Sequence, residues 1–136
     1  MDPGWTESFR KPVKPMSGAK DNTATDGTPL TWKEFERVCL VVGTVLRVEP
    51  FPEARHPACK VWVDFGPYGE RKTSAQITDL YTAEQLVGRQ IIGVINFAEK
   101  QIGPFRSQFL LTGFPTDAGV VLSAVERPVP NGTRLA

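Results

Sequence analysis

The stretch VCLVVGTVLRVEPF, residues 38–51, decides the fold class. Its β-branched residues run almost without interruption, which favours extended backbone over helix. Gly43, in its middle, predicts a bulge or a sharp bend. Downstream, the Pro-bounded loop PFPEARHPA (50–58) leads into CKVWVDFG (59–66). There Val61, Val63 and Phe65 alternate with Lys60, Trp62 and Asp64, the period of a half-buried strand. GPYGE (66–70) is a hairpin turn and RKTSAQI (71–77) its second strand.

The rest of the chain adds strands and two short helices. RQIIGVINF (89–97) reads as a central strand, AEKQIGPFR (98–106) as a loop, and SQFLLTGF (107–114) and GVVLSAV (119–125) as shorter strands. Thr31 with Glu34, and Thr82 with Gln85, have capping-box spacing, so helices are predicted over 32–37 and just after Thr82, the second ended by Gly88. Pro130-Asn131-Gly132 marks a tight turn near the end. About five strands with a helix between the third and fourth predict an all-β fold: a five-stranded, partly open Greek-key barrel of the OB type. A βαβ arrangement fails, because one short helix between strands cannot supply its crossovers.

Residues 1–28 are rich in Pro, Gly, Asp, Asn, Ser and Thr and show no apolar period, which predicts a disordered N-terminal tail before a domain over 29–136. Met16 is a candidate alternative start. The 136-residue chain has a formal charge of +1, from 16 Lys and Arg against 15 acids, so it is not a globally basic nucleic-acid binder. Phosphate recognition would need a local cluster. No apolar run reaches the roughly 20 residues of a bilayer span, and the N-terminus lacks a signal-peptide core, which points to the cytoplasm and away from membranes. Cys39 and Cys59 have no metal-ligand spacing and read as buried, inert thiols, with no cofactor implied.

Catalytic sets are missing from the sequence. His56 is the one histidine, and it sits in a loop before Pro57. Asp64 and Glu70 flank a turn without marking an acid and base pair, and no Walker loop or GxGxxG occurs. Binding features are richer. Lys72, Ser74 and Gln76 share one strand face, a cation, a hydroxyl and an amide in a row with nothing to bury. Asn96 follows the apolar IIGVI, where an amide either caps a turn or meets a ligand. KQIGPFRS brings Lys100, Phe105, Arg106 and Ser107 into one loop, where cations beside an exposed aromatic can hold a phosphate and stack a base.

SAQIT (74–78), VINFAEKQIGPFRS (94–107) and PVPNGT (128–133), together with FPEAR (51–55) and VDFG (63–66), resemble the CsaA family over about residues 31–136. These are small proteins built on the tRNA-binding domain, which is also appended to several tRNA synthetases. The resemblance implies an OB-fold homodimer that grips tRNA by structure and carries out no catalysis. It also implies an export-related chaperone role, with unfolded or preprotein polypeptides and the export machinery as further partners. By position, the binding motif falls on Ser74, Gln76, Asn96 and Ser107, with Lys100 and Arg106 beside them. The family usually has prolines followed by a basic residue where this chain has Ala98-Glu99-Lys100, so Glu99 adds a negative charge to the loop.

With RNA as ligand, Lys72, Lys100 and Arg106 would meet phosphates, the polar residues would read base edges or 2′-hydroxyls, and Phe105 or Phe97 would stack. With polypeptide as ligand, the candidates are an exposed patch of Phe51, Trp62, Phe97, Ile102, Phe105 and Phe109. A third alternative is a module that only docks onto a synthetase or the export machinery. The apolar segments TWKEFERVCLVV (31–42) and VVLSAVERPV (120–129) exceed what one small barrel can bury, which predicts a two-fold dimer through the leading helix and the C-terminal segment.

Overall fold

A computed structural model describes residues 27–136. The expected tail and the candidate start at Met16 lie outside the described residues, apart from the last two positions assigned to the tail. Helix α1 (Trp32–Glu36) is the first element of the described residues and is capped by the expected capping box, Thr31 accepting from the Glu34 N–H while Glu34 Oε1 accepts from the Thr31 N–H. Strands β1 (Leu40–Pro50), β2 (Cys59–Asp64) and β3 (Glu70–Ala75) follow as an antiparallel meander. Helix α2 (Ala83–Leu86) repeats the capping box with Thr82 and Gln85 and turns the buried Leu86 inward. After it come β4 (Gln90–Val94), β5 (Lys100–Ile102), β6 (Phe105–Ser107), β7 (Leu110–Leu111), β8 (Gly113–Thr116) and β9 (Gly119–Leu122).

The main sheet runs β3-β2-β1-β4-β7, five strands that form a nearly closed antiparallel barrel of the OB type. The gap between β7 and β3 is bridged by Gln108 N–H donating to Lys72 O (2.8 Å) and by Thr73 Oγ1 donating to Phe109 O (2.7 Å). The segment expected as a loop, 98–106, is instead mostly the β5–β6 hairpin. Its arms have only three residues each, too short to show a period, and its turn is set by Gly103 at φ 57° followed by Pro104. The segment 119–125 does not join the barrel; β9 pairs with β8 in a separate hairpin.

The core is centred on Phe65 and Phe109, whose rings meet edge to face at 4.9 Å. Two glycines make room for them. A Cβ on Gly43 would stand 2.5 Å from Val63 Cγ1 and 2.6 Å from Phe65 Cδ1, and one on Gly93 would stand 2.8 Å from Phe109 Cδ2. Gly43 is therefore a packing glycine. The bulge expected there lies three residues on, where the β1–β2 register slips between Val45 and Arg47. Along the first residues of β1, beyond the reach of β2 on the same edge, the C-terminal strap takes over. Val42 N–H donates to Thr133 O (3.0 Å), Gly132 N–H to Val42 O (2.7 Å) and Leu135 N–H to Leu40 O (2.8 Å). Asn131 Oδ1 anchors the strap by accepting from Thr44 Oγ1 (2.8 Å) and Gln90 Nε2 (3.0 Å).

The thiols divide. Cys59 is buried in the core, and desolvation pushes it up to about 11 from an ordinary 9.0, so it stays protonated and unreactive near neutrality. Cys39 is half-buried, which corrects the expectation that both are buried. No helix among the described residues is long and apolar enough to cross a membrane.

Gly43→Ala tests the packing role. The added methyl must displace Val63 or Phe65, and an overpacked core of this kind costs about 1–3 kcal/mol. Urea denaturation should show a lower midpoint with an unchanged slope, whereas an unchanged midpoint would mean that the core accommodates the methyl and that Gly43 is not required for packing.

Candidate nucleic-acid interface

The slip at Leu46 decides what the outer face of the barrel carries. With a strict two-residue period from the buried Val45, Arg47 and Glu49 would point into the core. The extra residue re-phases the strand, so Arg47 faces outward opposite Trp62 and Glu49 outward opposite Lys60. Trp62 in turn sits opposite Lys72, and Lys60 opposite Ser74. Two rows therefore cross β1, β2 and β3: Arg47-Trp62-Lys72 and Glu49-Lys60-Ser74.

The β5–β6 hairpin folds across these rows. It brings Phe105 and Ile102 down onto Phe51, and the three form a small buried cluster edged by Ala54, Ala58 and Trp62. Phe105 lies 5.5 Å from the Phe51 ring and 6.1 Å, edge on, from Trp62. Cations are held over these rings: Arg47 Cζ 3.9 Å from the Trp62 centroid, Lys60 Nζ 5.0 Å from Phe51 and 5.4 Å from Phe105, and Lys72 Nζ 5.0 Å from Phe105. The result is three cations at defined positions on one face, Arg47 also paired with Glu49 (3.2 Å), on a protein whose net charge is only +1.

The placement of each residue singled out from sequence is now clear. Lys72 is on this face, half-buried, and Lys100 is at the hairpin's start, opposite Ser107. Ser74 and Ser107 meet under the hairpin, only 3% and 2% exposed. Ser107 Oγ accepts from the Ser74 N–H at 3.1 Å, and the two hydroxyls lie 3.4 Å apart. The strip expected to have nothing to bury is thus covered at its centre. Gln76 is half-buried further along the same face. Arg106 is exposed but paired with Glu99 (3.5 Å), and Glu99 also accepts from Gln108 Nε2 (3.3 Å). Asn96 spends both ends of its amide on backbone: Nδ2 donates to Arg37 O (2.6 Å) and Oδ1 accepts from the Cys39 N–H (2.9 Å), tying the exit of β4 to the entry of β1.

Phe105, expected as an exposed aromatic, is buried, and so are Phe51, Ile102 and Phe109. The exposed apolar patch expected for a polypeptide does not form from these residues, because the hairpin closes over three of them and Phe109 faces the barrel core. Of that set Phe97 is exposed, at 53%, and Trp62 half-buried. Sequence reasoning missed Arg47 and Lys60 as site residues and assigned Trp62 only to the polypeptide alternative. The outward phase of Lys60 and Trp62 was visible in their alternation, but the aim of Arg47 depended on the bulge. Among the described residues no group of His, Cys, Asp or Glu could hold a metal ion.

An OB-type barrel with cations fixed over aromatic rings on the face of its second and third strands defines a class of nucleic-acid-binding module. The family profile described as "Putative tRNA binding domain" matches residues 40–134. Among solved structures, the chain is similar to the chaperone CsaA of Bacillus anthracis, with 39% identity, a TM-score of 0.75, and coverage of 80% of this chain and 100% of that one. It is also similar to the CsaA chaperone protein of Picrophilus torridus, with 36% identity, a TM-score of 0.76, and coverage of 79% and 100%. The methionine--tRNA ligase of Methanothrix thermoacetophila is 29% identical over 126 residues, 93% of this chain but only 18% of the ligase. The chain belongs to the tRNA-binding domain family, within its CsaA group.

Ser107→Ala tests the seam under the hairpin. It strands the buried Ser74 N–H, at a cost of about 1–3 kcal/mol. Amide exchange at Ser74 should speed up, with the β5–β6 hairpin loosening before the rest of the barrel. Unchanged exchange would mean that the hairpin is held by the aromatic cluster alone.

Proposed function

We propose that this chain is a non-catalytic, homodimeric, cytoplasmic protein that binds tRNA by its shape and backbone. The observation that carries the reading is the set of cations, Arg47, Lys60 and Lys72, each fixed over an aromatic ring on one face. A guanidinium or ammonium already oriented loses less freedom when a phosphate arrives. Lys60, Lys72 and Lys100 take phosphates and set the orientation of the ligand. The Arg47 plane over Trp62 and the exposed ring of Phe97 offer stacking surfaces to unpaired bases. Ser74, Ser107 and Asn96 act beneath this surface, holding the hairpin and the strand ends in place. Glu99 works against the grip by neutralising Arg106.

A second reading, in which the same face holds unfolded polypeptide, is supported by the chaperone designation of the two CsaA structures. The burial of most of its expected apolar contacts favours RNA.

With about three phosphates neutralised, log affinity should fall against log salt with a slope of about −2.5. Fluorescence anisotropy of labelled bulk tRNA reads this directly. Lys60→Ala with Lys72→Ala should weaken binding and flatten the slope by about 1.5, and Glu99→Gln should strengthen binding. Affinity that ignores both salt and these substitutions would transfer the face to polypeptide.

For the dimer, the support is an apolar groove of about 550 Å³ between α1 and the C-terminal strap, lined by Trp32, Phe35, Val38 and Leu135. Trp32 at its rim is 84% exposed. Solution scattering at micromolar concentration should give twice the monomer mass, and Trp32→Ala with Leu135→Ala should halve it. A monomeric parent protein would overturn the dimer.

A further inference from the structure

Strand β6 continues into Gln108, and along this edge the chain holds an anion of its own. Phe105, Ser107 and Phe109 are buried, so Arg106 and Gln108, which alternate with them, project to the opposite side. Between these two side chains sits the carboxylate of Glu99, the residue just before β5. Its Oε1 lies 3.5 Å from Arg106 Nη1, and its Oε2 accepts from Gln108 Nε2 at 3.3 Å. One anion is thus held with an oxygen on each of two donors.

The direction of the Gln108 amide is fixed from the other side. Its Oε1 accepts from the Lys72 N–H at 3.1 Å, and the Gln108 N–H donates to Lys72 O at 2.8 Å. A backbone N–H only donates, so the amide oxygen must face Lys72 and the NH2 group must face Glu99. The same bonds hold the Arg106 and Gln108 pair beside Lys72, whose ammonium stands over the Phe105 ring. A phosphate brought to Lys72 arrives next to both donors.

To these donors a phosphodiester resembles a carboxylate, one negative charge shared by two oxygens. While Glu99 is seated, Arg106 offers no net charge, and an arriving phosphate meets a second anion instead. The seat can be vacated. Arg106 and Glu99 are 54% and 46% exposed in their side chains, and an ion pair so open to water is weak. A single phosphate from solution competes poorly with a carboxylate tethered to the same chain. A phosphate on a strand already held at Lys72 is tethered as well, and competes on equal terms.

We propose that Arg106 and Gln108 Nε2 form a phosphodiester site that Glu99 occupies as an internal competitor until an RNA strand displaces it. The inference rests on the RNA reading of the neighbouring face and adds regulation to it.

The test is a double-mutant cycle on the full chain, with Glu99→Ala, Arg106→Ala and the two together, read by anisotropy of labelled bulk tRNA across a range of salt. Glu99→Ala should bind about fivefold tighter at low salt. Its log–log salt slope should steepen by about 0.9, since one more phosphate is neutralised. Arg106→Ala should weaken binding about twofold in the parent but about tenfold in the Glu99→Ala protein, so that Glu99→Ala has little effect once Arg106 is gone. In the Glu99→Ala protein the side-chain amide signal of Gln108 should also shift when tRNA is added. If Glu99→Ala tightens binding equally with and without Arg106, the carboxylate acts only by general repulsion; that result overturns the competitor and leaves the RNA reading standing. A Gln108 signal indifferent to bound tRNA overturns the site in the same way. If neither the parent nor any variant binds bulk tRNA at low salt, the RNA reading itself falls and the competitor with it.

Discussion

The barrel is organised around the contact between Phe65 and Phe109. Two large rings meet edge to face at the axis because Gly43 on β1 and Gly93 on β4 leave out the side chains that would otherwise stand there. Phe65 ends the β2 arm of the hairpin and Phe109 precedes β7, so the pair joins the beginning of the sheet to its closing strand. The same residue anchors closure on the other side, where Phe109 O accepts from Thr73 Oγ1 of β3. Burial of each ring is worth on the order of 2 kcal/mol or more. That gain is available only while both glycines keep their positions, so packing and sheet closure stand or fall together.

A second aromatic cluster does for the site what the first does for the barrel. Phe51, Ile102 and Phe105 pin the β5–β6 hairpin to the outer face of the sheet. In doing so they bury Ser74 and Ser107 and provide the ring faces over which Lys60 and Lys72 are held, beside Trp62, which carries Arg47. A chain of nearly zero net charge can thereby gather several cations on one face, where Glu49 pairs with Arg47 (3.2 Å) and Glu99 with Arg106 (3.5 Å).

Much of this was legible in the sequence where the signal is local. The alternation of Val61, Val63 and Phe65 with Lys60, Trp62 and Asp64, the capping boxes at Thr31 and Thr82, and the turn at Asn131-Gly132 all depend on residues a few positions apart. Each appears in the structure as expected. The β5–β6 hairpin did not show itself, because three-residue arms carry no usable period. The bulge was sought at Gly43, since glycine tolerates bulge geometry, yet Gly43 is needed for the space it leaves and the slip falls at Leu46.

The sequence by itself determined the order and type of the main elements, the OB-type barrel, and the set of polar residues on the Lys72-Ser74-Gln76 face. Only the tertiary structure decided which of them face solvent. A two-residue period states which side chains share a face, but not what lands on it. Ser107 reaches Ser74 across 33 residues of chain, and Asn96 reaches Arg37 across 59. Arg47 faces Trp62 because one extra residue re-phases β1. Such contacts are set by register and by the close packing of distant segments, and neither is written in the spacing of neighbours along the chain.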